Sequence, residues 1–569
     1  MKEKIMNTSK RSWDTVTLIL IIILGLFQIF RCMDYPGLYL DSVNPDYLAV
    51  QYLFPESGNG SWTLPHSLEI PFLAQLYHGT VTAWVQVVII SLFGEASLFT
   101  VRAANILYII AICWMLQLIC KKLDVNRYIS LFLAGAVMLS PQVFSFIRTQ
   151  YYIKLPGTFL MLCAFYLLLN QDNVKQGRYV VFSGVLNGLA FYSYFIYLFF
   201  APAMILFCIY NGRSERSSIK DAFAWFSGFC AGSVFYVIGY FDLLISSTAM
   251  SPELKVNIVR GILVALLGAV CLIIYLIVKY YDDKKILSRI YAVCLTCVSF
   301  VGVIGVVCFR YIWSVISPAL SALNIQGKPG SIIERLQQVA SYWYGIMSNN
   351  LSEELLIGEK ISRFTGAYML FLAVLTAMSV AVVWRYRKAL SSKHKGMIML
   401  WILLAVYGML TVAMVTRMGG QHYTGTFFIT FLCMAIEMDV VYSYLKDNRI
   451  KTKCTDYFIV ALSVIIIFAE LMNATVLCTR LKATGGSGLF TAHINTLAYD
   501  ALEQKRKGIK EYYIFPEWGF MCGFDYLTMN QVKYTTVFNA EEIQRYVEEG
   551  YTCKICIWED WKSYVEGGG

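Results

Sequence analysis

Charge is what this chain is short of: only 15% of its 569 residues are Asp, Glu, Lys or Arg, against 58% hydrophobic ones. Soluble globular domains are typically about 25% charged and about 45–50% apolar, so a soluble enzyme is excluded and a multi-span membrane protein is expected. Histidine is scarce as well, with 5 residues. No G-x-x-x-x-G-K-[ST] occurs, which argues against an ATP-driven machine, and neither H-E-x-x-H nor G-x-S-x-G is present. No inter-span segment expected in the cytoplasm is long enough to form a nucleotide-binding domain. Sixteen cysteines are not a disulfide framework, because Cys113, Cys163, Cys230, Cys294 and Cys433 lie inside apolar runs as small hydrophobes. Cys553 and Cys556 form a lone C-x-x-C with no second pair, which argues against zinc; a disulfide involving Cys522 in the tail stays open.

What is present is a succession of apolar runs near 16–30, 101–120, 128–146, 154–170, 179–193, 194–210, 221–242, 258–280, 288–309, 365–384, 396–416, 422–443 and 455–476. A span takes about 20 apolar residues, so about thirteen transmembrane helices are expected in an all-α polytopic protein. The net charge of +10 comes from short clusters such as KKLDVNR, KYYDDKK and WRYRKALSSKHK that flank these runs. That placement is the positive-inside signature and requires no nucleic acid partner. It sets the N-terminus in the cytoplasm and the C-terminus outside the cell membrane. Val16–Phe30, preceded by Lys10 and Arg11 and followed by no small-x-small pattern, reads as an uncleaved signal anchor.

Three segments then lie outside. Residues 31–100 form a first loop in which His78 to Phe93 reads as an interfacial helix anchored by Tyr77 and Trp84. Residues 310–364 include an amphipathic stretch, SIIERLQQVASYWYGIM. The tail from about 478 to 569 combines strand-like KEYYIFPEWGF, KYTTVF and TCKICIW with helical AEEIQRYVEEG, a small extracytoplasmic α/β domain, while 1–477 forms the transmembrane domain.

The first loop opens with PGLYLDSVNPDYLAVQYL, placing Asp41 and Asp46 at the lipid–water boundary. Acids at such a boundary face polar cavities, because burial in hydrocarbon is costly. Asp41 has the character of a general base; Asp46 could orient the acceptor, hold a metal or tune Asp41, while N-P-D is also a helix-start signal with Asp46 as cap. In SFIRTQYYIKLPGTFL, Arg148 and Lys154 flank aromatics including Tyr151, and either bind phosphate or snorkel to the interface. VTRMGGQHYTGTFFI sets Arg417, His422 and Tyr423 at another external end, where phosphate or sugar contact is one reading and a structural His the other. His66 in LPHSLEIPF is a further candidate substrate contact; its neighbour Glu69 does not make it a metal site.

In order and sidedness these residues resemble the GT-C superfamily of polyprenyl-phosphate-sugar-dependent glycosyltransferases, in particular bacterial relatives of protein O-mannosyltransferases and of the aminoarabinose transferase of lipid A. The matching stretches are GLYLDSVNPDYLAVQYL, LFGEASLFTVRAANIL with Gly94, Arg102 and Asn105, RTQYYIKLPGTF and RMGGQHYTGTFF. The resemblance implies inverting transfer of a sugar from a polyprenyl-phosphate carrier, on the outer face, to a glycan, lipid or protein acceptor. Its first-loop aspartate falls on Asp41, with Asp46 as rival. Arg148, Lys154, Arg417 and His422 become donor-phosphate ligands, and Tyr151, Tyr423 and His66 substrate contacts. The family often carries a second acid where this chain has Lys154, which puts a divalent metal in doubt. No W-W-D-x-G is present, which argues against an oligosaccharyltransferase. The competing function is a flippase or transporter of lipid-linked sugars that uses the same phosphate ligands without chemistry. Repeated halves would favour it, and none are visible.

Overall fold

The computed structural model describes residues 2–558 apart from 56–58, 60–62, 64–65, 76, 170–175, 212–214, 247–330, 362–364, 414–418 and 449–451. The runs expected at 258–280 and 288–309, and with them Arg417, lie outside the described residues.

The chain enters through α1 (Lys2–Phe30), after which α2 (Tyr47–Leu53), β1 (Leu73–Gln75), β2 (His78–Gly79) and α3 (Val81–Phe93) build the first loop. Helices α4 (Leu98–Lys122), α5 (Arg127–Met138), α6 (Pro141–Phe146), α7 (Leu155–Leu168), α8 (Gln176–Ser193), α9 (Ala201–Asn211), α10 (Glu215–Gly232) and α11 (Val234–Ser246) follow. Beyond the undescribed stretch come α12 (Ile332–Met347), α13 (Asn350–Ile357), α14 (Thr365–Arg385), α15 (Ser392–Ala413), α16 (Thr424–Asp447) and α17 (Thr452–Thr484). The tail comprises α18 (His493–Arg506), β3 (Glu511–Ile514), α19 (Met521–Leu527), β4 (Tyr534–Thr535), α20 (Ala540–Glu548) and β5 (Thr552–Ile555).

Five described helical segments are long and apolar enough to cross a membrane, and six further apolar helices are shorter. Eleven of the thirteen expected runs are described in whole or in large part, and their described residues are mainly helical, but several are interrupted. Ser140 with Pro141 breaks 128–146: its hydroxyl accepts from Gln142 N at 3.1 Å and starts α6 afresh. The run at 194–210 begins as a tight 3-10 turn, Phe195–Phe200, before α9. Helix α4 starts at a capping box in which Ser97 and Thr100 satisfy one another's backbone N–H groups.

Helices α8 and α10 each carry a G-x-x-x-G, at Gly184/Gly188 and Gly228/Gly232. A Cβ at any of the four would strike backbone of the facing helix, Gly184 meeting Trp225 O and Gly228 meeting Val181 O. In lipid, where no hydrophobic force drives helices together, small residues allow this close approach.

The first loop differs from expectation at one end. His78 and Gly79 form a strand paired antiparallel with Leu73–Gln75, and the helix begins only at Val81. Helix α3 ends at Gly94, whose φ of 75° is the left-handed C-cap that glycine adopts without strain. The tail holds a three-stranded parallel sheet in the order β4-β3-β5, with Tyr513 opposite Tyr534 and Lys554. The strand-like FPEWGF run leaves the sheet after Ile514, and α20 forms from the expected AEEIQRYVE.

Two large cores result. One lies among the apolar helices, and the other joins the first loop (Leu38, Leu40, Val50, Ile90) to the tail (Phe490, Tyr513, Phe524, Tyr526). Leu40 N donates to Gly519 O at 3.0 Å, Gly37 N to Phe490 O at 3.0 Å, and Leu38 N to Asn495 Oδ1 at 3.1 Å. A Cβ on Gly523 would strike Leu38 O, so α19 rests directly on the loop that carries Asp41.

Candidate functional site

Four chain segments converge beside that loop. The first is the short 3-10 turn Leu40–Ser42, in which Asp41 is partly exposed while Leu40 and Ser42 are buried. The turn is held by Ser42 N donating to Tyr39 O at 2.7 Å and Asn44 N to Leu40 O at 2.9 Å. The second is the 3-10 turn Tyr152–Lys154, which leads into α7 with Pro156 in its first turn. The third is the β2 strand, whose His78 is buried, and the fourth the turn Gly420–Tyr423 with His422.

Lys154, 3% exposed, donates to Gln150 O at 2.8 Å and lies 4.4 Å from the centre of the Tyr194 ring. Tyr194 is the hub of the group. It stacks parallel to His78 at 6.2 Å, meets Tyr77 edge-on at 5.9 Å and tilts against His422 at 5.7 Å. Phe195 N, donating to Tyr77 O at 2.9 Å, fixes this aromatic corner to the first loop. A cation over an aromatic face is attracted by the ring's negative quadrupole, so Tyr194 steadies the ammonium without neutralising it.

Burial raises the Asp41 carboxyl above the ordinary carboxylate range, and the Lys154 ammonium opposes the rise. Asp46 is fully buried, and burial pushes its carboxyl up to about 7 against the opposing influence of Thr82, Gln86 and Tyr152, whose side chains face it. Although Asp46 directly precedes α2, its side chain caps nothing, so the helix-cap reading does not describe it. Burial lowers His78 to about 3, and Lys154 adds to the effect, so the imidazole is neutral at physiological pH. Its Nδ1 lies 3.2 Å from Gly79 O and therefore carries the hydrogen, leaving Nε2 as an acceptor.

The remaining expected residues are distributed unevenly. Arg148, 1% exposed, donates Nε to Tyr35 O at 3.1 Å, Nη1 to Phe144 O at 3.0 Å, and Nη2 to Ile29 O and to Cys32 O, the latter at 3.4 Å. It also lies 3.7 Å over the Phe144 ring, binding the end of α1 to α6. Tyr151 tilts against Phe146 at 5.3 Å; Tyr423 tilts against Tyr342 at 5.9 Å and meets edge-on, at 5.8 Å, Tyr407, whose hydroxyl donates to His422 O at 2.6 Å. His66 bonds Leu68 O at 2.7 Å and shares no hydrogen bond or ring contact with the Asp41 group among the described residues. No cluster of three His, Cys, Asp or Glu able to hold a metal ion occurs among the described residues. The sequence reading did not single out Tyr194 or assign His78 a role. The signal available for both was aromatic density, YHG before α3 and YSYFIYLFF after α8.

Residues 77–241 match the model of a family described as dolichyl-phosphate-mannose-protein mannosyltransferase. The matched segment contains His78, Lys154 and Tyr194 but neither aspartate of the first loop. No curated protein matches the chain. Among solved structures, the oligosaccharyltransferase of Archaeoglobus fulgidus in its apo form superimposes with a TM-score of 0.52 at 13% identity, covering 92% of this chain. The chain spans 64% of that protein's length. The S. cerevisiae protein O-mannosyltransferase Pmt1-Pmt2 complex bound to its sugar donor aligns over 40% of this chain and 34% of its own, at 16% identity and a TM-score of 0.29. The likeness to the archaeal enzyme is one of fold. The family match over residues 77–241 and the likeness of fold agree with the resemblance to the GT-C superfamily seen in the sequence.

Proposed function

We propose that this chain is a membrane glycosyltransferase of the GT-C kind that moves a sugar from a polyprenyl-phosphate carrier to a cell-surface acceptor on the outer face, with Asp41 as general base. The observation that carries the reading is a partly exposed Asp41 whose carboxyl feels the charge of Lys154, itself held 4.4 Å from the centre of the Tyr194 ring. In the reaction an acceptor hydroxyl gives its proton to the Asp41 carboxylate as its oxygen attacks the anomeric carbon. The bond from that carbon to the carrier phosphate breaks, and configuration inverts. Charge builds on the departing phosphate, where Lys154 offers an N–H donor and a counter-charge. Neutral His78 can accept a sugar hydroxyl through Nε2, and Tyr194 presents an aromatic face to the ring. The family described by the matching model is named for a dolichyl-phosphate sugar donor, which supports the carrier class.

A raised carboxyl is a stronger base once ionised, and its acid limb lies above the ordinary carboxylate range. Turnover therefore rises with pH through that raised value. The test is incubation of the purified protein with polyprenyl-phosphate sugars and an acceptor extract, measuring released polyprenyl phosphate and labelled acceptor. Movement of intact donor across vesicles without release would establish the transporter instead.

A further inference from the structure

Cys32 stands just after α1, and Cys478 lies near the end of α17, 1% and 0% exposed respectively. Far apart in sequence, they meet in space: the Cys32 thiol donates to Cys478 O at 3.6 Å, and both side chains belong to one buried cluster. A small apolar cluster of Phe144, Leu356, Leu477 and Leu481 surrounds them. Arg148, donating to Cys32 O, closes one side.

We propose that Cys32 and Cys478 are joined by a disulfide in the mature protein, tying the first membrane helix to the last. The inference rests on the reading that this end of the helices faces outside, where disulfides persist. The co-reactant is a disulfide-bearing thiol oxidoreductase of the outer face. One thiolate attacks its disulfide, the second displaces the resulting mixed disulfide, and the oxidoreductase leaves with both electrons and both protons as a dithiol. The bond stands where it matters for the site. Helix α17 ends at Thr484, and the chain then crosses to Phe490 and Asn495, which hold Gly37 and Leu38 beside Asp41. A covalent tie between α1 and α17 would fix both ends of that seat.

The full-length protein should be extracted from its native membranes under excess alkylating agent and without reductant, then digested for mass spectrometry. The expected product is a linked peptide pair carrying Cys32 and Cys478 that separates on reduction and is absent in Cys32→Ser. Recovery of both cysteines alkylated, with no linked pair, overturns the proposal. In parallel, Val547→Cys, at a position 50% exposed on α20, is labelled with a membrane-impermeant maleimide in sealed and permeabilised cells. Labelling in sealed cells with a free Cys32/Cys478 pair sinks the disulfide alone. Labelling only after permeabilisation with a free pair sinks the outside reading as well.

Discussion

The site has a rim and a floor, and each carries one aspartate. Asp41 at the rim keeps part of its surface open and feels the Lys154 ammonium. Asp46 on the floor is enclosed by Thr82, Gln86 and Tyr152 and feels no cation that moderates its burial. The floor is continuous with the tail, because Tyr526 OH donates to Gln86 Oε1 at 3.1 Å and lies 3.0 Å from Thr100 Oγ1. Two carboxylates of one loop are therefore suited to different work. The rim is open to exchange a proton with an entering molecule, and the floor holds loop, helices and tail in register.

The same division separates Arg148 from Lys154. Backbone carbonyls of α1, α6 and the connection after α1 accept from the Arg148 guanidinium, while the Lys154 ammonium keeps donors beyond its one carbonyl. Buried cations are costly unless paired or hydrogen-bonded, and the carbonyl set meets that cost for Arg148. The contrast shows that a basic residue at the end of an apolar helix is assigned by what already surrounds it, not by its charge.

The largest effect that would break this comparison is on the two aspartates. Asp41→Asn is expected to lower transfer by about 10²–10⁴-fold, the usual contribution of a general base, with the protein still inserted and monodisperse. Asp46→Asn should retain most of the turnover and alter stability instead. Equal losses in kcat for the two variants, measured on matched folded material, would move the base to the floor.

Next in size are the cations. Lys154→Ala should raise the donor KM roughly 10-fold or more, since a hydrogen bond to a charged group is worth about 1.5–3 kcal/mol. Arg148→Ala should chiefly lower the unfolding temperature and the yield, because it removes the guanidinium bonds that Tyr35 O and Phe144 O accept. A normal melting curve for Arg148→Ala together with a raised donor KM would return Arg148 to the phosphate.

A smaller effect follows from the floor's proton affinity. Burial pushes Asp46 and Asp525 up to about 7 each from an ordinary 3.8, and Asp525 accepts from Gln51 at 2.6 Å and Asn59 at 3.3 Å. Both folded carboxyls hold their proton more tightly than unfolded ones do. The stability this contributes is fully present below about pH 3.8 and is lost as pH rises through about 7. Thermal unfolding in detergent should thus shift downward across that window, and the combined Asp46→Asn and Asp525→Asn variant should flatten the slope. An unchanged slope in that variant would place the titration elsewhere.

Much of the frame was legible because it is local. Apolar runs announced helices, the amphipathic stretch from Ser331 announced α12, and alternation announced β3 and β5. The acid of the first loop and the lysine before α7 were found for the same reason, as charges at the edges of apolar runs. What escaped was every contact between distant segments. His78 sits in a helix-like apolar pattern but pairs as a strand, because Phe195 and Tyr194 press on Tyr77 and His78 from far along the chain. The tail read as an α/β unit, and which residues join it to the first loop through the wholly buried α19 was not legible. Periodicity shows which face of an element is apolar and is silent on which partner covers it.

The finest test bears on Tyr194, the residue that joins rim and aromatic corner. If its ring face steadies Lys154 and later a sugar, the ring matters and the hydroxyl does not. Tyr194→Phe should keep the donor KM near that of the unaltered protein, since the ring contacts with His78, Tyr77 and His422 need only the aromatic face. Tyr194→Leu should raise that KM by roughly 2- to 30-fold, the range spanned by a cation–π contact of about 0.5–2 kcal/mol. The kcat of Tyr194→Leu should fall less, because neither Asp41 nor the breaking bond depends on the ring. A phenylalanine variant as impaired as the leucine one would show that the hydroxyl, not the face, is what the site uses.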